Sequence, residues 1–229
     1  MKKLFLLFLI PLFIYSCSKS GNSSTPPVVV KLSGCDSIKQ GLLKATSDSV
    51  RLASCLSLSA NDSMRLGLLN IGQAYQGGIL VYFLQSVDPG YDKNIKHGLI
   101  VALTDQGVVT WSNLSNTITG ATGTAIGTGL SNTNKIISIL GGDSKTYAAG
   151  LARTYRGGDY TDWYLPSRDE LNKLWNYKNA GGGGTNFASE YWSSTENDGS
   201  NAYFSMFNPG PIPNFSKSLT HYVRAIRAF

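Results

Sequence analysis

The sequence predicts an α+β domain of short antiparallel strands, two helices and Gly-rich loops, preceded by a short helical stem. Three observations carry this. No Phe, Trp or Tyr occurs from Ser16 to Ala74, whereas 21 occur from Tyr75 to Phe229, so an aromatic core begins near residue 70. Short β-branched runs bounded by glycine and polar residues recur through that second part. One strong helix-start signal falls in its middle, at Ser167.

Taken in order, Lys2 and Lys3 precede an apolar run from Leu4 to Tyr15. A bilayer-spanning helix needs about 20 apolar residues, so this run reads as a signal-peptide core. It ends at Ser16-Cys17, a pattern similar to the bacterial lipobox, which makes Cys17 the expected lipidation site. More than one acyl chain on such a cysteine gives stable membrane anchoring. Ser18 follows where inner-membrane retention favours Asp, so the resemblance implies the outer membrane, facing the periplasm or the cell surface. The expected organisation is a signal peptide over 1–16, a Ser/Pro tether over 17–33, a helical stem over 34–70 and the aromatic domain over 71–229.

In the stem, Asp36-Ser37, Asp48-Ser49 and Asp62-Ser63 each suit a helix N-terminus, predicting three short helices. Cys35 and Cys55 lie in this stem, and export to an oxidising compartment makes a disulfide between them the default. One continuous helix is the competing reading. It excludes a disulfide within one chain, because 20 helical residues separate the cysteines by roughly 30 Å, against the 7 Å or so that a bridge tolerates between Cα atoms. Folded-back helices are the preferred reading.

In the domain, Gly78 to Leu84 and Gly98 to Leu103 read as buried strands, and Ser131 to Leu140 as a helix. Ser167 and Glu170 form a capping box, with Leu171, Leu174 and Trp175 on one helix face. Strands are expected at Tyr191 to Thr195, Ala202 to Phe207 and Tyr222 to Phe229, the last pairing with the first strand of the domain.

Motifs of catalysis are sparse. His97 and His221 have no partner at metal-ligand spacing, and no cysteine follows Cys55. Gly141 to Thr146 departs from a phosphate loop at Ser144, where the motif requires glycine. No catalytic residue, no metal ligand and no cofactor are expected, and the chain reads as a non-enzyme. Glu196-Asn197-Asp198-Gly199-Ser200-Asn201 has the oxygen density of a calcium site, but a polar hairpin turn is the simpler reading. Trp163, Trp175, Trp192 and Tyr191 suit sugar stacking, yet core packing is the commoner use.

The series Tyr75 to Ile79, His97 to Ala102, Gly123 to Gly129, Asp162 to Ser167 with Asp169-Glu170-Leu171, Tyr191 to Glu196 and Val223 to Arg227 resembles the Lcl C-terminal domain family. That family is named for the end domain of a collagen-like adhesin, and the likeness covers about residues 73 to 229. It implies a C-type-lectin-like fold, surface lipoproteins, and an oligomer; in the adhesin, a trimer binds sulfated glycosaminoglycans. No Gly-X-Y repeat is present here. Formylglycine-generating enzymes share the implied fold, but their chemistry depends on cysteines absent from this domain. An extracellular glycan or protein ligand is the implied partner. Candidate contacts are Glu196, Asn197, Asp198 and Asn201 in the hairpin, the loop from Asn208 through Pro209, Pro211, Pro213 and Asn214 to Lys217, and the pair Arg153 and Arg156.

Charge bears on that ligand. The formal net charge is +6. Lys2 and Lys3 carry two of it, and the tether and stem carry three more, from six basic residues against Asp36, Asp48 and Asp62. The domain from residue 70 holds 12 basic and 11 acidic residues, a net of +1. This distribution removes a nucleic-acid partner and leaves a sulfated ligand dependent on a local cluster: Arg153 with Arg156, or Lys217 with Arg224 and Arg227.

Overall fold

In a computed structural model of the chain, the structure describes residues 69–142, 144–207 and 214–229. They lie within the larger of two compact units, Lys44–Phe229. The signal segment, Cys17, the tether, the stem through residue 68 with Cys35 and Cys55, Asn208 and the proline run at 209–213 lie outside the described residues.

The elements in chain order are β1 (Ala74–Tyr75), β2 (Gly78–Phe83), β3 (Gly98–Ala102), β4 (Gly107–Thr110), α1 (Gly129–Leu140), α2 (Ala148–Arg153), α3 (Arg168–Asn179), β5 (Glu190–Glu196), β6 (Asn201–Met206), β7 (Asn214–Ser216), β8 (Thr220–Val223) and β9 (Ile226–Ala228). They make an α+β structure with two sheets, ordered β1-β2-β3-β9 and β4-β8-β5-β6-β7. All named pairings are antiparallel except β5 with β8, which meet in parallel at Tyr191 and Tyr222.

The first sheet is covered on both faces, which explains its continuous apolar runs. Leu80 and Ile100 enter a cluster with Trp111, Ile136, Trp163 and Trp192. Ile79, Val81, Leu99 and Val101 enter another with Leu171 and Leu174 of α3. Helix α3 starts as its capping box requires: Ser167 Oγ accepts from the Glu170 N–H, and Glu170 Oε2 accepts from the Ser167 N–H.

Four expectations need correction. Among the described residues there are three α-helices, not two; α2 is six residues of mostly Ala and Gly, too short to display a helical period. Strands β1, β4 and β7, of two to four residues, carry too little alternation to be seen. The run Tyr222 to Phe229 is two strands, because Arg224 and Ala225 carry the chain from the second sheet to the first. Its last part, β9, pairs with β3 and not with the first strand. The domain ends still meet through side chains, Tyr75 and Phe229 lying edge-on at 4.9 Å.

Candidate functional site

The polar hairpin after β5 is internally committed. Glu196 is buried and ion-paired to buried Lys217 at 2.6 Å. The same carboxylate accepts the N–H groups of Thr119 and Gly120. Lys217 Nζ also donates to Thr117 O and lies 4.6 Å from the Trp111 ring centroid. Burial alone would raise the Glu196 pKa, but the Lys217 hydrogen bond, the Thr119 N–H, the Lys217 charge and the Gly120 N–H outweigh it and lower the value. Both residues, read from the sequence as ligand contacts, are brought together as a buried pair that closes the turn. Asp198 stays at the surface, where it accepts from Ser200 N, Asn201 N, Asn201 Nδ2 and Asn197 Nδ2. These bonds, led by the Asn201 side chain, hold its pKa down at about 2. The hairpin reading thus accounts for Asn197, Asp198 and Asn201 as a self-bonded turn. Among the described residues, no group of three His, Cys, Asp or Glu comes together to hold a metal ion.

The basic patches separate likewise. Lys217, Arg224 and Arg227 each have their own carboxylate: Glu196, Asp105 and Asp162 respectively. Arg153 donates from Nη2 to Asn134 Oδ1 at 2.5 Å, and exposed Arg156 donates to the Arg153 and Tyr155 carbonyls. Neither has an acidic partner within 4.0 Å among the described residues. Asn214 is exposed at the start of β7. Trp163, Trp192 and Tyr191 are fully buried, as the core reading expects, and Trp175 is half-buried. His97 Nδ1 is 3.0 Å from Phe229 O, and the His221 ring stacks on Phe204 at 4.5 Å.

A cleft that sequence reasoning missed opens beside Arg224. Its walls are Leu103, Thr104 and Asp105, following β3, and Gly183, Gly184, Thr185 and Asn186, in the Gly-rich loop after α3; its volume is about 570 Å³. That size falls in the range of small-molecule sites. Buried Arg224 ties the two walls together. Its Nε donates to Asp105 Oδ1 at 2.6 Å, its Nη1 to Ala102 O at 2.8 Å and its Nη2 to Asn186 O. The guanidinium also stacks near Phe187, 4.9 Å from the ring centroid. The sequence reading places Arg224 in the Val223 to Arg227 motif and in a candidate basic cluster, not at a cleft. The signal for the cleft was weak: a polar Thr-Asp turn closing a strand, and a glycine run whose lack of side chains leaves space.

The fold and this cleft describe an α+β domain with a small, pre-tied polar site and no catalytic constellation on its walls. The Lcl C-terminal domain family model matches residues 101–227, more than half of the chain, and the chain belongs to that family. No curated protein matches it. Among solved structures, a fimbrial protein from Bacteroides ovatus is similar at 19% identity, over 65% of this chain and 43% of that one, with a TM-score of 0.41. The chain therefore spans less than half the length of that protein. No helix among the described residues is long and apolar enough to cross a membrane.

Proposed function

We propose that the chain is a cell-envelope lipoprotein, anchored through Cys17 to the outer membrane, that displays a non-catalytic recognition domain of C-type-lectin-like type for glycan or protein ligands. The observation that carries this is the cleft whose opposing walls are joined by one buried guanidinium. A site held in shape before its ligand arrives loses little ordering entropy on binding. Glu196 and Lys217, the charged pair of the hairpin, are committed to the fold. Family membership supports a surface role, and the lipobox-like Ser16-Cys17 supports the anchor.

A structural envelope role, packing against a neighbouring protein without a free ligand, is the second reading. It is favoured by exposed Leu114, Ile118 and Phe215, apolar side chains in the segments flanking Lys217 and its partner Thr117. A glycan array on the mature, unlipidated chain, combined with its mass in solution, separates the two. Specific hits support recognition; a silent array together with a co-purifying envelope partner supports packing. Radiolabelled palmitate incorporation, lost in Cys17→Ser, tests the anchor.

A further inference from the structure

The cleft also has a chemical preference that can be read from its walls. We infer that it takes an uncharged, hydroxyl-rich ligand, a neutral sugar unit, and disfavours sulfated or carboxylated ones; this rests on the recognition reading above.

Among the described residues, the cation that contacts the cleft walls, Arg224, is already used. Each Arg224 nitrogen donates to one wall acceptor, Asp105 Oδ1, Ala102 O or Asn186 O, and the side chain is buried. The remaining charged group on the walls is the Asp105 carboxylate, whose side chain is 22% exposed. An incoming sulfate would meet this carboxylate, while the adjoining guanidinium is buried and held by the walls. Neutral hydroxyls meet the opposite situation. They donate to a carboxylate in charge-assisted hydrogen bonds, and they exchange donor and acceptor roles with the Thr104 hydroxyl and the exposed Asn186 amide. Leu103, 46% exposed at the same wall, offers an apolar surface to the C–H face of a sugar ring. Gly183 and Gly184 bring bare backbone to the opposite wall, so a ring can approach closely.

Gly183 also supplies a variant that separates binding from folding. A Cβ there meets nothing within 4 Å, and its φ is not in the left-handed region. Gly183→Val therefore keeps the fold while placing bulk at the cleft.

The full mature chain is applied to an array of neutral hexose and N-acetylhexosamine glycosides alongside their sulfated and carboxylated counterparts, and the strongest ligand is titrated calorimetrically. The expected result is a neutral ligand whose affinity falls at least tenfold in Gly183→Val and several-fold in Thr104→Ala and Asn186→Ala, with circular dichroism unchanged. The Arg153→Ser/Arg156→Ser double variant should bind it as the parent does. Retention of anionic glycans alone, or loss of binding only in the double arginine variant, would overturn the inference while leaving a recognition module. A neutral ligand indifferent to Gly183→Val would likewise move the site elsewhere. A silent array overturns the inference too, and the recognition reading then stands or falls on capture of a protein ligand.

Discussion

Arg224 and Asp105 are 119 residues apart in the chain and 2.6 Å apart in space, Nε to Oδ1. The arginine side chain is wholly buried and the aspartate is partly open to the cleft. One residue therefore satisfies a carboxylate on one wall and a carbonyl on the other, in the two-residue step that carries the chain between sheets. The planar fork of arginine makes this feasible, and an ammonium would not reproduce it.

Replacing Arg224 should accordingly be severe. Arg224→Met leaves Asp105 unpaired and the Ala102 and Asn186 carbonyls without this donor, at a cost of about 3–5 kcal/mol. Arg224→Lys should recover only part of that, because it keeps charge and loses the fork. Urea denaturation of both variants checks the order, and equal stability of Arg224→Lys and the parent would refute the two-wall role.

The Glu196–Lys217 pair allows a double-mutant test. Lys217→Met strands a buried carboxylate and should cost about 3–5 kcal/mol. Adding Glu196→Gln removes the stranded charge, so the double variant should be more stable than Lys217→Met alone. Denaturation of the four proteins at pH 7 measures the coupling.

The same glutamate gives an acid-side pH dependence. Its pKa is lowered in the folded chain from the ordinary 4.5, so the unfolded chain binds its proton first. The stabilisation is complete above pH 4.5 and is lost as pH falls through the folded value. Glu170 has the opposite sign: burial raises its pKa against the Ser167 and Gly127 N–H bonds, so ionisation costs stability as pH rises above 4.5. The stability gap between the parent and Glu196→Gln should therefore narrow from pH 7 to pH 3. A gap independent of pH would show that the carboxylate is not held as a charge.

Glu170 also explains why one glycine resists improvement. Besides capping α3, its Oε1 accepts the Gly127 N–H at 2.9 Å and the Tyr164 hydroxyl at 3.2 Å, so the carboxylate pins the loop that leads into α1. A Cβ on Gly129 would lie 2.2 Å from Glu170 Oε2 and 2.8 Å from Ser167 N. Alanine for glycine within a helix normally gains roughly 1 kcal/mol. Here Gly129→Ala should lose about 1–3 kcal/mol through overpacking, seen as a lower melting temperature.

What was legible in the sequence follows from how local each signal is. Ser167 and Glu170 are three residues apart and announced α3 directly. The glycine-bounded runs at Gly78 and Gly98 announced β2 and β3, since strands covered on both faces are apolar throughout. Which strand joins which was not legible: β9 pairs with β3 just after Arg224, whose partner Asp105 lies far upstream. The site shared this limit. Glu196 and Lys217 looked like surface polar residues because a sequence separation of 21 hides that their side chains meet inside. The cleft was hidden for the same reason, its walls being 80 residues apart and its tie at Arg224 a further 40 away.

The Tyr75-Gln76-Gly77-Gly78 stretch shows the same dependence on a distant partner, and yields the sharpest backbone test. Gln76 and Gly77 both have positive φ, 44° and 86°, turning β1 into β2. Gly77 presses on the Gly157–Gly158 backbone, where a Cβ on Gly77 would stand 2.2 Å from Gly157 C. That contact supports the site at which Trp163 Nε1 donates to Gly157 O at 3.1 Å. Gly77→Ala suffers twice, from left-handed strain and from a clash with backbone that has no rotamer to yield, and should cost about 3 kcal/mol or more. Gly183→Ala, in open space with an ordinary φ, should stay within about 0.5 kcal/mol of the parent. Chemical denaturation of the two alanine variants side by side decides it: similar stabilities would mean that the Gly77–Gly157 approach does not hold the chain, and a large loss confined to Gly77→Ala would place the constraint at that contact.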